Sequence, residues 1–412
     1  MSDADARQAV VSAGQAARQA AAGLAAAGDA AIDAALRQMA GLLRAQAPAI
    51  LDANAADMAA GAERGLGRGL LDRLRLDTDR LAATARQLEL LAAIPFPPET
   101  TPLDKLPGGL RLEERRIPVG VVGANFEARP AVTVDIASQL LKSRNAGVLR
   151  TGGAALASAT ALFDLAISPA LEHAGLLPRA LRLVRTADHA AAAELVSQPG
   201  LIPLVILRGS GETTRELAAV AARCGVRTLA HADGGGVLYI DGAADRAEAS
   251  RLITESLDRL GVCNRLNLLL ICSDRWDEML PVALRALAGR DVTPSLPPHD
   301  HPLGHEWALD PGREATVTIA PADNPASAAG IANDETSGLA AGIVTADPAA
   351  ARRFLAAYRG TGAFWSASTR LLDGFKLRGV PETGINTDHV PGPRGPVTFT
   401  DLCLRQYVIT PG

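Results

Sequence analysis

The chain has 412 residues, 48% of them hydrophobic and 21% charged, with a formal charge of −4 and a pI near 6.0. That length exceeds what one hydrophobic core usually serves and predicts two domains plus a smaller appendage. The acidic balance argues against nucleic-acid and anionic-membrane partners, which need a basic face to release counterions, and favours a small-molecule substrate.

The opening residues, MSDADARQAVVSAGQAARQAAAGLAAAG, are Ala-rich but acidic at their start and interrupted by polar residues, unlike a secretory leader. From about residue 5 to 92, apolar residues recur at helical spacing, as in LRQMAGLLRAQAPAILDANAADMAAG, and predict a helical N-terminal region. IPFPPETTPLDKLPGG (94–109), with five prolines and two glycines, predicts a break. The polar LRLEERRIPVG that follows alternates well enough to be an exposed strand, which we place at 108–118 and expect to invite subunit pairing.

IPVGVVGANF (117–126), NAGVLRTGG (145–153), LRLVRTAD (181–188) and LIPLVILRGSG (201–211) are short apolar runs separated by helical stretches. This alternation predicts a parallel, doubly wound sheet. A second set begins at VRTLAHADGGGVLYID (226–241), passes through RLNLLLICSD (265–274) and ends near AGIVTADP (341–348). The expected boundary therefore lies near residue 229, with one domain over 1–229, a second over 230–362, a return to the first over 363–387 and a tail over 388–412. The tail, GPVTFTDLCLRQYVITPG, is rich enough in Thr, Val and Tyr to predict another strand. No run reaches the ~18 apolar residues of a membrane span.

Cys224, Cys263, Cys272 and Cys403 lie far apart with no CxxC, so neither a metal site nor a disulfide framework is expected, and a reduced, cytoplasmic compartment fits. Gly261-Val262-Cys263-Asn264 follows a helix-like stretch and precedes an apolar strand. Taken alone, Cys263 is either a nucleophile or a small buried apolar residue.

Its surroundings decide between these. PVGVVGANFEARPAVTVDIASQLLKSRNAGVLR, GVCN, SASTRLLDGFKLRGVPETGINTD and PRGPV occur in that order. Together they resemble the signature segments of γ-glutamyl phosphate reductases, over nearly the whole chain. Asn125-Phe126 and DETSGLAAGIVT resemble motifs of the wider aldehyde dehydrogenase superfamily. The resemblance implies an α/β fold with two doubly wound parallel-sheet domains, one for the cofactor and one catalytic, and a strand appendage for oligomerisation. It implies reduction of L-glutamyl 5-phosphate to L-glutamate 5-semialdehyde by NADPH, in proline biosynthesis, through a thioester on Cys263. A homodimer or homotetramer is expected, with channelling of the acyl phosphate from a glutamate kinase.

On the same basis Cys263, Asn264 and Asn125 are assigned to catalysis, with Asn125 and the Cys263 N–H as oxyanion donors; Asn125 alternatively closes the turn after its strand. Glu127, Arg129, Ser368, Thr369, Arg370 and Arg394 are assigned to the substrate, because an acyl phosphate bearing a carboxylate calls for guanidinium forks. Gly209-Ser210-Gly211-Glu212 resembles a pyrophosphate turn at a helix start, and Arg150, Gly152, Gly209, Ser210, Glu212 and Gly234 are assigned to the cofactor.

Two departures qualify the resemblance. The superfamily's hydrolytic members carry a general-base glutamate where this chain has Ala232, between His231 and Asp233, which disfavours hydrolysis of the thioester. His231 and Asp233 either protonate product or hydrogen-bond the turn. A family lysine that can meet the NADP 2′-phosphate is replaced in Thr151-Gly152-Gly153-Ala154, leaving Arg150, Arg185 and Arg208 as candidates and NAD(H) open. A divergent reductase of another acyl phosphate or thioester, and a non-catalytic paralogue, are the competing readings.

Overall fold

Five helices open the chain: Asp3–Ala25, Asp29–Ala45, Ala47–Glu63, Arg68–Leu74 and Thr78–Ala93. The first is started by a capping box in which Ser2 and Asp5 satisfy each other's backbone N–H. In the computed structural model, residues 2–231, 234–310, 312–387 and 394–411 are described.

A hairpin follows, β1 (Thr100–Leu106) and β2 (Leu110–Pro118). β1 falls inside the stretch expected to be a break. Its Pro102 hid it, although an edge strand tolerates proline because its outward side has no ladder bond to lose. Next come β3 (Val121–Phe126), β4 (Ala146–Thr151), β5 (Leu181–Val184), β6 (Leu204–Arg208) and β7 (Arg227–His231). They form a parallel sheet in the order β5-β4-β3-β6-β7. β3 and β4 are buried along their whole length, as central parallel strands covered on both faces must be.

The second sheet comprises β8 (Gly236–Ile240), β9 (Leu266–Cys272), β10 (Thr293–Ser295), β11 (Thr316–Ala322), β12 (Ala340–Val344) and β13 (Gly362–Trp365). Its strands are parallel in the order β10-β11-β9-β8-β12-β13. The sequence boundaries need two corrections. Residues 226–241 are two strands, not one restart: Arg227–His231 pairs with β6 and closes the first sheet, so the change of sheet falls between His231 and Gly236. Likewise β13 pairs with β12 through Trp365, so the second sheet runs past residue 362.

Two short antiparallel strands, β14 (Gly384–Asn386) and β15 (Gly395–Val397), precede β16 (Cys403–Pro411). β16 lies antiparallel to β2, giving a three-stranded appendage in the order β1-β2-β16. Residues 108–118 and the tail thus meet.

Gly153–His173 is helical, and long and apolar enough by composition to cross a membrane, contrary to the expectation that no run qualifies. It is half buried, with Ala159, Leu162, Phe163, Ile167 and Leu171 inside the main core cluster. Its apolarity is that of a core helix.

Candidate active site

Cys263 sits in the turn between the helix Arg246–Glu255 and β9, and it is partly buried. The turn is held on two sides. Gly235 N–H donates to the Cys263 carbonyl at 2.6 Å, and Gly234 lies so close beneath that a Cβ on it would fall 2.8 Å from the Cys263 carbonyl oxygen and 2.9 Å from its Cα. From the first domain, the helix Arg68–Leu74 packs on Gly261, where a Cβ would fall 2.7 Å from Asp72 Oδ2 and 3.1 Å from the Gly69 carbonyl. Only glycine permits both approaches. Arg73 Nε donates to the Gly261 carbonyl at 2.7 Å, and Arg259 Nε donates to Asp72 at 2.9 Å. The nucleophile turn is therefore braced across the domain boundary.

Cys263 faces a cavity of about 340 Å³ whose walls include Arg73, Arg75, Arg80, Arg129, Arg208, Arg259 and Arg370, against the carboxyls of Asp135, Asp373 and Glu382. Such a surplus of guanidinium groups suits a polyanionic ligand. Several are already anchored: Arg80 to Asp72 and the Asp72 and Arg75 carbonyls, Arg208 to the Thr383 carbonyl at 2.8 Å, and Arg370 to Asp258 and Asn264. The Arg129 side chain donates no hydrogen bond among the described residues. Burial, then repulsion by Arg73 and Arg208, depresses its pKa to about 9, so it remains charged at neutral pH and faces the cavity.

Two acids are shifted the other way. Burial pushes Glu382 up to about 7; Arg208 opposes this, and Asp373 and Cys263 add to it. Burial likewise raises Asp135 to about 6, with Arg208 again opposing and Asp373 adding. Glu382 Oε2 accepts the Gly374 N–H at 2.6 Å.

Of the residues expected in catalysis or substrate binding, Cys263, Asn264, Arg129 and Arg370 meet in this cavity. Asn264 corrects to a brace: its Nδ2 donates to the Leu372 carbonyl at 2.8 Å, and its Oδ1 accepts from Arg370. Ser368 and Thr369 are buried behind the wall, not in it. Ser368 pairs with Ser256 at 2.9 Å, and Thr369 donates to the Asn264 carbonyl at 2.8 Å, so both pin the Arg370 segment to the nucleophile turn. Asn125 is corrected more sharply. It is buried in β3, its Oδ1 accepts from Arg150 Nη1 at 3.0 Å, and it does not line the cavity. The cavity is lined from the segment after β3, at Arg129, Ala131, Val132 and Asp135, and not from the strand itself. Arg394 lies elsewhere, donating to the Arg359 and Thr387 carbonyls at 2.7 and 3.3 Å.

The residues assigned to the cofactor divide. Gly152, Gly209 and Ser210 stand at the carboxyl ends of β4 and β6 beside β3, where the strand order reverses, the position at which a doubly wound sheet opens its ligand crevice. Ser210 caps the helix Gly211–Cys224, its Oγ accepting from Thr213 N–H, and Glu212 is exposed in the first turn. Glu127, expected with the substrate, lies beside this turn and outside the cavity lining: its Oε2 accepts the Ser210 N–H at 3.1 Å. Arg150 is 3% exposed and donates to Asn125 and the Ala187 and Asp188 carbonyls, so it is a strut behind the crevice rather than a ligand group. Gly234 corrects to the support of Cys263. Arg185 is exposed and paired with Asp164 at 2.8 Å. Ala232, Asp233 and the His231 side chain lie outside the described residues. No metal-binding cluster of three or more His, Cys, Asp or Glu occurs among the described residues.

Sequence reasoning missed Arg73, Arg80, Arg75, Arg259, Asp135 and Glu382, and Arg208, expected near the 2′-phosphate of the cofactor, lines this cavity instead. A signal existed for the first two in the charge-dense RGLLDRLRLDTDR of residues 68–80. Asp135 lies within the quoted TVD segment and was passed over.

Residues 1–298 match the model of the aldehyde dehydrogenase family. The chain is 36% identical to a γ-glutamyl phosphate reductase of Clavibacter michiganensis, covering 96% of this chain and 92% of that one. It is 35% identical to that of Moorella thermoacetica over 96% of each. Among solved structures, the γ-glutamyl phosphate reductase of Thermotoga maritima superposes with a TM-score of 0.85 at 26% identity, covering 97% of this chain and 98% of that one. An acetylating aldehyde dehydrogenase of Geobacillus thermoglucosidasius shares the fold, with a TM-score of 0.74 at 15% identity over 98% and 97% of the two chains. With a cysteine turn facing an arginine-lined cavity, and these relatives over nearly its full length, the chain belongs to the γ-glutamyl phosphate reductase group of the aldehyde dehydrogenase family.

Proposed function

We propose that this protein reduces L-glutamyl 5-phosphate to L-glutamate 5-semialdehyde with release of phosphate, as a step of proline biosynthesis in the cytoplasm. The observation that carries the reading is Cys263 opening on a cavity with seven arginines in its walls. An acyl phosphate that also bears a carboxylate matches that field, and a neutral aldehyde does not need it.

The Cys263 thiolate attacks the γ-carbonyl carbon; the C–O bond to phosphate breaks and phosphate leaves with the electron pair, leaving a thioester. Phosphate departs without a protonating acid, and the guanidinium groups around it stabilise the charge it carries away. When bound, the nicotinamide supplies the hydride that converts the thioester carbon to a hemithioacetal. Its oxyanion then re-forms the carbonyl as the C–S bond breaks and that electron pair returns to sulfur, giving back the thiolate and releasing the aldehyde. The backbone N–H of Cys263 remains the oxyanion donor of this reading, because Asn125 does not line the cavity.

The crevice fits a dinucleotide on one observation. Gly152, Gly209 and the first turn of the helix Gly211–Cys224 gather at the switch point, leaving backbone close to where a pyrophosphate would lie. Glu127 and Ser210 would border it. The resemblance favours NADP, which we propose as the cofactor with NAD as a working substitute: among the described residues, the three candidate cations for the 2′-phosphate are engaged with protein groups, Arg150 with the Ala187 carbonyl, Arg185 with Asp164 and Arg208 with the Thr383 carbonyl.

We further propose a homodimer or homotetramer joined through the appendage. β16 is an edge strand whose Leu404, Tyr407 and Ile409 are exposed, and a second copy would cover them. A glutamate kinase is the proposed supplier of the acyl phosphate.

The test is phosphate-dependent oxidation of glutamate 5-semialdehyde with NADP and NAD in parallel. The reading expects turnover that requires phosphate, and turnover independent of phosphate would contradict it.

A further inference from the structure

Three carboxyls stand in the cavity wall among the seven arginines. Two have structural work. Asp373 Oδ1 accepts the Lys376 N–H at 3.1 Å and caps the short helix Gly374–Arg378. Glu382 uses Oε2 on the Gly374 N–H. Asp135 differs: its backbone carbonyl accepts from Ser138 Oγ, but its side chain has no hydrogen bond or ion pair among the described residues.

Asp135 sits in the first turn of the helix Val132–Lys142, a position that suits an acid. That does not account for its setting. Burial still holds its proton affinity well above the ordinary carboxylate range, so the helix end and the nearest arginines leave the charge under-compensated. In a cavity built for anions, an unpaired carboxylate weakens anion binding unless it meets a cation. An acyl phosphate of an α-amino acid carries one such group.

We propose that Asp135, with the second oxygen of Glu382, receives the α-ammonium of the substrate. The site thereby selects acyl phosphates of free amino acids over those whose amino group is acylated or missing. This rests on the reading of Cys263 as the nucleophile for an acyl phosphate and adds the group that sets substrate class. The arginines bind the two anionic ends, Cys263 takes the carbonyl, and Asp135 is the contact that only the amino acid satisfies. A charge-assisted hydrogen bond to a partly buried carboxylate discriminates by roughly ten- to hundredfold.

The experiment compares two aldehydes, glutamate 5-semialdehyde and 5-oxopentanoate, which has the same chain without the ammonium. Both are oxidised in the presence of phosphate and NADP by the wild-type protein and by Asp135→Asn. The wild type is expected to favour the amino aldehyde in kcat/KM by ~tenfold or more, and the variant to lose most of that preference through a raised KM for the amino aldehyde alone. An unchanged preference in an active variant overturns the proposal while leaving the thioester chemistry standing. Failure of the wild type to oxidise either aldehyde overturns both. Should the variant not fold, inhibition of the wild type decides: L-glutamate is expected to inhibit ~tenfold more strongly than glutarate, and equal inhibition overturns the assignment.

Discussion

Arg73 Nε donates to the carbonyl of Gly261 at 2.7 Å, so a seven-residue helix of the N-terminal region holds the turn that carries Cys263. The bond links residues 188 positions apart and couples the geometry of the nucleophile to the packing of the two domains. Replacing Arg73 with Ala should lower kcat by ~tenfold, because a small displacement of a nucleophile is costly. A rise in KM at unchanged kcat would instead make Arg73 a substrate ligand and no brace.

Gly234 supports the same turn from the other side. Gly234→Ala places a methyl 2.8 Å from the Cys263 carbonyl oxygen and must push the turn outward. Activity should fall by ~100-fold or more with a loss of thermal stability of only a few degrees. Equal activity, measured as phosphate-dependent aldehyde oxidation, would show that the turn relaxes freely.

Asn264 and Arg370 act as one unit, since the carboxamide oxygen accepts from the guanidinium that lines the cavity. The single substitutions Asn264→Ala and Arg370→Ala should therefore be strongly non-additive. A double-mutant cycle on kcat/KM should give a coupling of about 1–2 kcal/mol. Additive losses would mean that Arg370 finds its position without Asn264.

The fold was legible because its signals are local. Continuous apolar runs such as VVGANF and LNLLLIC announce buried parallel strands, and the spacing between them announces crossover helices. β1 and the β7–β8 junction were misplaced because edge pairing and sheet membership depend on distant partners. The site was legible in part for the same reason. Cys263, Arg129 and Arg370 lie inside recognisable segments, but Arg73, Arg208 and Glu382 enter the cavity from separate elements that no spacing in the sequence joins. Asn125 and Arg150 are assigned from the resemblance of their segments, yet Arg150 donates to Asn125 Oδ1 between adjacent strands, a pairing that no local sequence signal announces.

The raised acids make a pH-dependent prediction. Asp135 and Glu382 have folded pKa values near 6 and 7, above their unfolded values of 3.8 and 4.5, so the native state binds more protons in that window. Their cost to stability is absent below pH ~4, grows as pH rises towards 7 and is constant above. Relative to an Asp135→Asn, Glu382→Gln double variant, the wild type should lose stability between pH 5 and 8, as read by urea midpoints. A constant difference across that range would show that these carboxyls are not held protonated by burial.

The most direct test of the central claim is Cys263→Ser in phosphate-dependent oxidation of glutamate 5-semialdehyde. Thermal denaturation would confirm that the fold is intact, and mass spectrometry would follow acyl transfer to the protein. Turnover should fall by at least ~1000-fold, and an acyl adduct should form on Cys263 of the wild type when phosphate is withheld and be absent from the variant. Sustained turnover by a folded Cys263→Ser protein, or an adduct at another residue, would contradict the account.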